Sequence, residues 1–386
     1  MHGVLLEHQE LYSQAEKAYH RSLQLLECSE NSDNECGDIV RANYARVLCS
    51  LGKYSESIKM YQEINPLNNF HHITGLALAF FMFGNLEQSY QVYEQAFELA
   101  TNEGQKSHVR AAMGILGYIL GDVDRCKFAL CESSELRPAS EQGLLALTTM
   151  GLITSDITLA AAALSELVKI GQKGDEHLIS EASYLFASFY ALQGSPDIGK
   201  SYIVQEIHRR PHSSLLWNNL AKFILRFQPH ELKAAARCAE AAHRLGDRNV
   251  EDVSTTYAYS TIGCGHDPAC GKPASNKISP GVVSAQKALH MNPDCLTNWT
   301  LLSAALSDAS TCYTSAPQKS KLQLCEMVTR VSLARVIEAS NCPLTRPEVF
   351  ERRNLNITEA SQKWLALQYG YCLYYSGKTD EAIQHC

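Results

Sequence analysis

Three residues able to hold a metal ion fall close together in Cys264-Gly265-His266-Asp267-Pro268-Ala269-Cys270. Two thiols and an imidazole would give zinc three of the four ligands of a structural site. No second Cys/His pair with metal-ligand spacing stands nearby. The stretch therefore reads as a solvated Gly/Pro/Ser loop, with Cys264, His266 and Cys270 as a metal candidate that lacks a fourth ligand. Further on, Gly377-Lys378-Thr379 spells the end of a phosphate-binding loop. That loop needs an earlier glycine at 372, where Cys372 stands, and a strand before it. Residues 365–375 have helical periodicity instead, so the triplet is expected to be a turn between helices.

Other chemistry is sparse. The chain contains no H-E-x-x-H, no G-x-S-x-G and no strand-borne G-x-G-x-x-G, so no catalytic residue is assigned and no cofactor is expected. His71-His72 opens a helical stretch and reads as a surface pair. Arg209-Arg210 and Arg352-Arg353 lack neighbouring lysines and interleaved aromatics, so each reads as a solvated helix end.

Bulk properties narrow the class. The 386 residues are 45% hydrophobic and 19% charged, enough apolar content for a sizeable core. A net charge of −7 argues against a broad nucleic-acid surface. The first residues show no basic segment followed by an apolar run, and no apolar stretch approaches the ~20 residues of a membrane span. A soluble protein without a small-molecule substrate is expected. The 14 cysteines are irregularly placed, several of them inside apolar helical patterns, which suits a reducing cytosol better than a disulfide framework. The triplets Asn298-Trp299-Thr300 and Asn356-Ile357-Thr358 are then chance sequons.

The elements that must position any site come from a repeat. The phrase Gly52-Lys53-Tyr54-Ser55-Glu56-Ser57, followed by Tyr61 and Ile64, returns from Gly84 and again from Gly121. Its small residue falls at 15, 57, 89, 126, 160 and 199, giving gaps of 42, 32, 37, 34 and 39. First helices carry a frame seen in Trp217-Asn218-Asn219-Leu220-Ala221 with Ile224, and in Trp299-Thr300-Leu301-Leu302-Ser303 with Leu306. Each tryptophan follows a proline by six residues, Pro211 and Pro293. Weaker copies are Tyr44-Ala45 with Leu48, Leu76-Ala77 with Phe80, and Phe186-Ala187 with Tyr190. A period near 34 with a turn between two helices resembles the tetratricopeptide repeat. The resemblance implies an all-α fold, an α-solenoid wound as a right-handed superhelix of helix-turn-helix repeats. A regular array of about seven hairpins is expected over 1–255. Irregular hairpins are expected over 256–386, with loops at about 263–279, 309–319 and 341–358.

The inner face of such an array would be lined by first helices. Asn218, Lys222 and Arg226 share one helical face and could hold a partner's carboxylates, and Tyr184 occupies the corresponding slot of the preceding unit. Because Tyr184 and Ser188 break the pattern of Lys and Asn, a clamp for a chain-terminal carboxylate is not supported. A groove for a helix or an extended segment fits better.

The stretches "GVLLEHQELYSQAEKAYHRSLQLLE", "ALHMNPDCLTNWTLLSAAL" and "LQYGYCLYYSGKTDEAIQHC" resemble the C-terminal region of the tetratricopeptide scaffold subunits of Ski (superkiller) complexes. That resemblance implies a non-catalytic cytoplasmic scaffold, with the nucleus as a second location. It also implies an RNA helicase and a WD-repeat protein as partners, and 3′-to-5′ RNA decay by the exosome, with RNA contact indirect. The alternatives are an adaptor of an unrelated assembly, or a metal-binding helical protein. Both ends read as cut within a hairpin, which is the expectation for part of a longer array.

Overall fold

The computed structural model describes residues 2–9, 11–27, 34–64, 69–171, 175–246, 251–265, 280–293, 295–308, 319–341 and 348–385. Among them every regular element is helical, as the α-solenoid class requires. The chain forms two compact units, Met1–Met150 and Gly151–Cys386. The expected division near 255 concerns the regularity of the repeats rather than compactness.

The first unit holds α1 (His2–His8), α2 (Tyr12–Glu27), α3 (Asn34–Ser50), α4 (Tyr54–Gln62), α5 (Phe70–Phe83), α6 (Leu86–Leu99), α7 (Glu103–Ile119) and α8 (Val123–Glu135). Consecutive helices pair as hairpins. Next comes α9 (Glu141–Thr154), which runs through the boundary. The second unit continues with α10 (Ile157–Gly171), α11 (Glu176–Leu192), α12 (Pro196–Arg209), α13 (Ser214–Phe227), α14 (Leu232–Leu245), α15 (Glu251–Gly265) and α16 (Pro280–Met291). Its last helices are α17 (Leu296–Asp308), α18 (Lys319–Asn341), α19 (Glu348–Tyr375) and α20 (Thr379–His385). Within the loop expected over 341–358, α19 already begins at Glu348. Pro347 directly precedes that start, and no helix breaker follows it for many residues.

Local chemistry fixes the ends of these helices. Asn69, Asn102, Asp122 and Asp175 each accept a backbone N–H two or three residues on, satisfying donors that the first turn leaves open. At the other end a glycine in the left-handed region closes the helix. Gly84 has φ 91°, Gly84 N donates to Phe81 O and Asn85 N donates to Phe80 O at 2.9 Å. Gly377 repeats this closure with φ 82°, and Lys378 N donates to Leu373 O at 3.0 Å. The Gly-Lys-Thr triplet is thus a hairpin turn between α19 and α20. The turn after α9 uses Ser155 at φ 60° with the same long hydrogen bond, Asp156 N to Gly151 O at 2.8 Å.

Inside each hairpin the small positions of the repeat meet. Ser57 Oγ donates to Ala45 O and Ser89 Oγ donates to Ala77 O, both at 2.7 Å. In α12 the same slot is Gly199, where a Cβ would lie 2.4 Å from Ala187 O. Large residues then fill the facing holes. Tyr61 is buried against Gly75, whose added Cβ would lie 2.3 Å from the phenol oxygen. Leu130 lies against Gly114 in the same way. Fully buried Ala45, Ala77, Ala187 and Ala221 let backbones approach, and the cores form around Leu48, Phe80, Leu216 and Phe223.

Candidate protein-interaction face

First helices of successive hairpins in the second unit are joined by a ladder of amides and carboxylates. Asn219 Nδ2, on α13, donates back to α11 at Ser180 O (3.0 Å) and Ser180 Oγ (2.8 Å). Asn218 Nδ2 donates forward to Asp252 Oδ2 of α15 at 2.7 Å, and Lys222 Nζ reaches the same oxygen at 2.5 Å. One helix further, Asn298 Nδ2 on α17 donates to Glu251 Oε1 at 2.6 Å and also contacts Ala288 O and Asn292 O. Asn292 Nδ2 adds a bond to Glu251 Oε2 at 3.2 Å. The hydrogen bonds of Asn219 and Asn298 offset the cost of burying their amides.

This places the four residues expected to meet a partner. Asn218 is 1% exposed and lies beneath the α13–α15 contact, while Lys222 is half-exposed and tied to Asp252. Tyr184 is partly buried against the core around Phe223. Arg226 is exposed, with its guanidinium 5.3 Å from the ring of Phe227. Spacing of i, i+4 and i+8 puts residues on one face, but that face rolls from the hairpin contact at Asn218 to solvent at Arg226. Asp252, the shared acceptor, carried no signal in the repeat frame. Asn298 is 1% exposed and fully engaged, so its sequon marks no surface site.

The two tryptophans share one contact. Trp217 Nε1 donates to Pro211 O at 3.0 Å and Trp299 Nε1 donates to Pro293 O at 2.7 Å. The six-residue spacing from each proline is the reach of that hydrogen bond. Arg335 of α18 covers the Trp299 ring at 5.1 Å and also donates to Pro293 O.

A groove of about 350 Å³ opens between α10, α11 and α12, walled by Leu167, Ile179 and Tyr202. Glu206, 6% exposed, stands at its edge and accepts from Arg209 Nη1 at 2.5 Å, with Arg210 Nη1 at 3.5 Å. The Arg209-Arg210 pair is therefore tied to a buried carboxylate as well as ending a helix. Burial raises the Tyr202 pKa, and the charge of Glu206 adds to the rise. The side chains of Arg352 and Arg353 lie outside the described set.

One grouping escaped the sequence reading. Ser107 and Ser133 exchange hydroxyl-to-carbonyl bonds of 2.8 Å between α7 and α8, and Ser140 N donates to Ser107 Oγ at 2.7 Å. Ser140 Oγ lies 3.2 Å from His108 Nδ1, a pairing that suits a nucleophile and its base. The same hydroxyl accepts from Gly143 N and caps α9, which gives it a structural role. His266 and Cys270 lie outside the described residues, as does the side chain of Cys264. Among the described residues no group of three or more His, Cys, Asp or Glu side chains is placed to hold a metal. No described helix is long and apolar enough to cross a membrane.

Comparison with known proteins places the chain beside large repeat proteins. It is 31% identical over 312 residues to tetratricopeptide repeat protein 37 of Xenopus laevis, covering 81% of this chain and 19% of that protein. It is 29% identical over 388 residues to superkiller complex protein 3 of Mus musculus, covering 100% of this chain and 23% of that one. The chain thus spans about a fifth of the length of the curated relatives it matches. No family model matches. Among solved structures, a tetratricopeptide repeat protein from Parabacteroides merdae superposes with a TM-score of 0.48 at 13% identity, over 67% of this chain and 95% of that one.

Proposed function

We propose that this protein is a non-catalytic scaffold that joins the subunits of a superkiller-type complex. Similarity to superkiller complex protein 3 along the whole of this chain is the observation that carries the reading. Its hairpins fit that role. Asn218, Asn219 and Asn298 tie the first helices of neighbouring hairpins together, so the α11–α17 face is a pre-organised surface. An RNA helicase and a WD-repeat protein are the proposed partners, in cytoplasmic 3′-to-5′ RNA decay, with RNA handed on rather than held. Arg226, exposed on the first-helix face, is the proposed partner contact, with Tyr184 beside the core and Lys222 at the edge of the ladder.

Reconstitution tests this. The full chain is mixed with a superkiller-type helicase and a WD-repeat subunit and resolved by size-exclusion chromatography. Co-elution of a stoichiometric complex is expected, weakened severalfold by Arg226→Glu with the helical signal unchanged. Separate elution of all three proteins would remove the assignment.

A further inference from the structure

Two thiols in the last core of the second unit touch each other. Cys325 on α18 and Cys372 on α19 are both 0% exposed, and Cys372 Sγ lies 3.6 Å from Cys325 Sγ. They sit among Leu302, Leu306, Leu322 and Val328, the apolar side chains that bind these helices together. A disulfide brings two sulfurs to about 2.05 Å, a closure of about 1.5 Å from the observed contact. The same ends of the helices are already held in register. Glu326, next to Cys325, accepts from Lys378 Nζ at 2.7 Å and from Ser376 Oγ at 3.2 Å, just beyond α19.

The surroundings distinguish this pair from the other buried cysteines. Burial pushes Cys126 and Cys238 up to about 11, where they act as small apolar groups. Cys325 instead accepts the Cys372 thiol hydrogen and has the Ser307 and Thr329 hydroxyls at 3.5 and 3.9 Å. The Cys372 hydrogen bond, opposed by burial and aided by those hydroxyls, lowers its pKa below the ordinary thiol value.

We propose that Cys325 and Cys372 are a redox modification site, forming a reversible disulfide that locks α18 to α19. The co-reactant is a low-molecular-weight disulfide, reaching the pair when the helices part locally. Cys325 thiolate attacks one sulfur of that disulfide, whose S–S bond breaks and releases one thiolate. Cys372 gives its proton to solvent and attacks Cys325 Sγ, expelling the second thiolate. Two protein thiols are oxidised to a disulfide, and the small disulfide is reduced to two thiols.

Oxidised glutathione is the probe. The full chain is incubated with it, quenched with an alkylating agent, digested and examined by mass spectrometry, with exposed Cys36 reporting that the oxidant acted. A linked Cys325–Cys372 peptide, two hydrogens lighter than the separate pair and lost on treatment with dithiothreitol, is the expected product. Hydrogen exchange across α18 and the end of α19 should slow by at least about tenfold on oxidation, since a bridge between residues 47 apart constrains local opening. Cys372→Ala should abolish both effects. Recovery of both cysteines as separately alkylated peptides while Cys36 is modified would overturn the proposal, as would linkage of either to a different cysteine. The wild-type peptide map decides the matter even where the variant folds poorly.

Discussion

The hairpins of α3–α6 and those of α11–α17 share one geometry and differ in what holds it. In the first region the polar ties are local and repeat with the sequence: Ser57 to Ala45 and Ser89 to Ala77, each across twelve residues inside a hairpin. Contacts between those hairpins are shape-based, as with Tyr61 over Gly75. In the second region the ties run between hairpins, across 34 residues for Asn218 to Asp252 and 47 for Asn298 to Glu251. The hydroxyl staple is gone there, and Gly199 lets the backbone of Ala187 close in instead. A repeat slot therefore specifies a distance of approach more strictly than a residue chemistry.

The largest test of this contrast is Asn298→Ala. It removes a buried donor from a carboxylate and from two carbonyls, and should cost about 2–3 kcal/mol. Denaturant unfolding followed by hydrogen exchange should show the loss over α15–α17, with α3–α6 unaffected. A uniform loss over the whole chain would mean that the ladder is not a local tie.

Exchanging the slot residues probes the same point more finely. Gly199→Ser should cost about 2 kcal/mol by overpacking, because even a Cβ meets the Ala187 carbonyl. Ser57→Ala should cost about 1 kcal/mol, since only a hydroxyl is lost and the carbonyl keeps its place in the helix. Equal effects in thermal unfolding would show that the two slots are interchangeable, against the structure.

The smallest effect is set by pH. Glu7 of α1 is affected first by burial, which raises its pKa. The Arg46 bonds at 2.5 and 2.9 Å outweigh that, and the net pKa lies below the ordinary 4.5. Its contribution is present above about pH 4.5 and is lost as the pH falls through the lowered folded value. Amide exchange in α1–α3 should quicken slightly below that point, and Glu7→Gln should remove the dependence. Because Arg46 is half-exposed, solvent screening keeps the effect small.

Much of the fold was legible because the repeat is written in local chemistry. Gly377 stands five residues before the small residue Ala382, as Gly84 stands before Ser89, and both glycines close a helix in the left-handed region. The prolines six residues before Trp217 and Trp299 marked a shared repeat frame, and the structure adds the indole-to-carbonyl bond that spans that spacing. Other features gave no such notice. Asn218 and Arg226 lie on one helical face, yet the first is buried and bonded to Asp252 of α15 while the second is exposed.

By itself the sequence determined the all-helical hairpins, their turns and the small residues at which they close, since period, caps and left-handed glycines act within a few residues of one another. Tertiary structure decided which polar residues became internal ties. Asp252 and Glu251 are ordinary helix-start acids until stacking brings Asn218, Lys222 and Asn298 within hydrogen-bond reach. Cys325 and Cys372 likewise stand far apart in the chain, and only the packing of α18 on α19 makes them a pair. The physical reason is range: backbone preference is short-ranged and written in order, whereas side-chain pairing depends on which surfaces are finally pressed together.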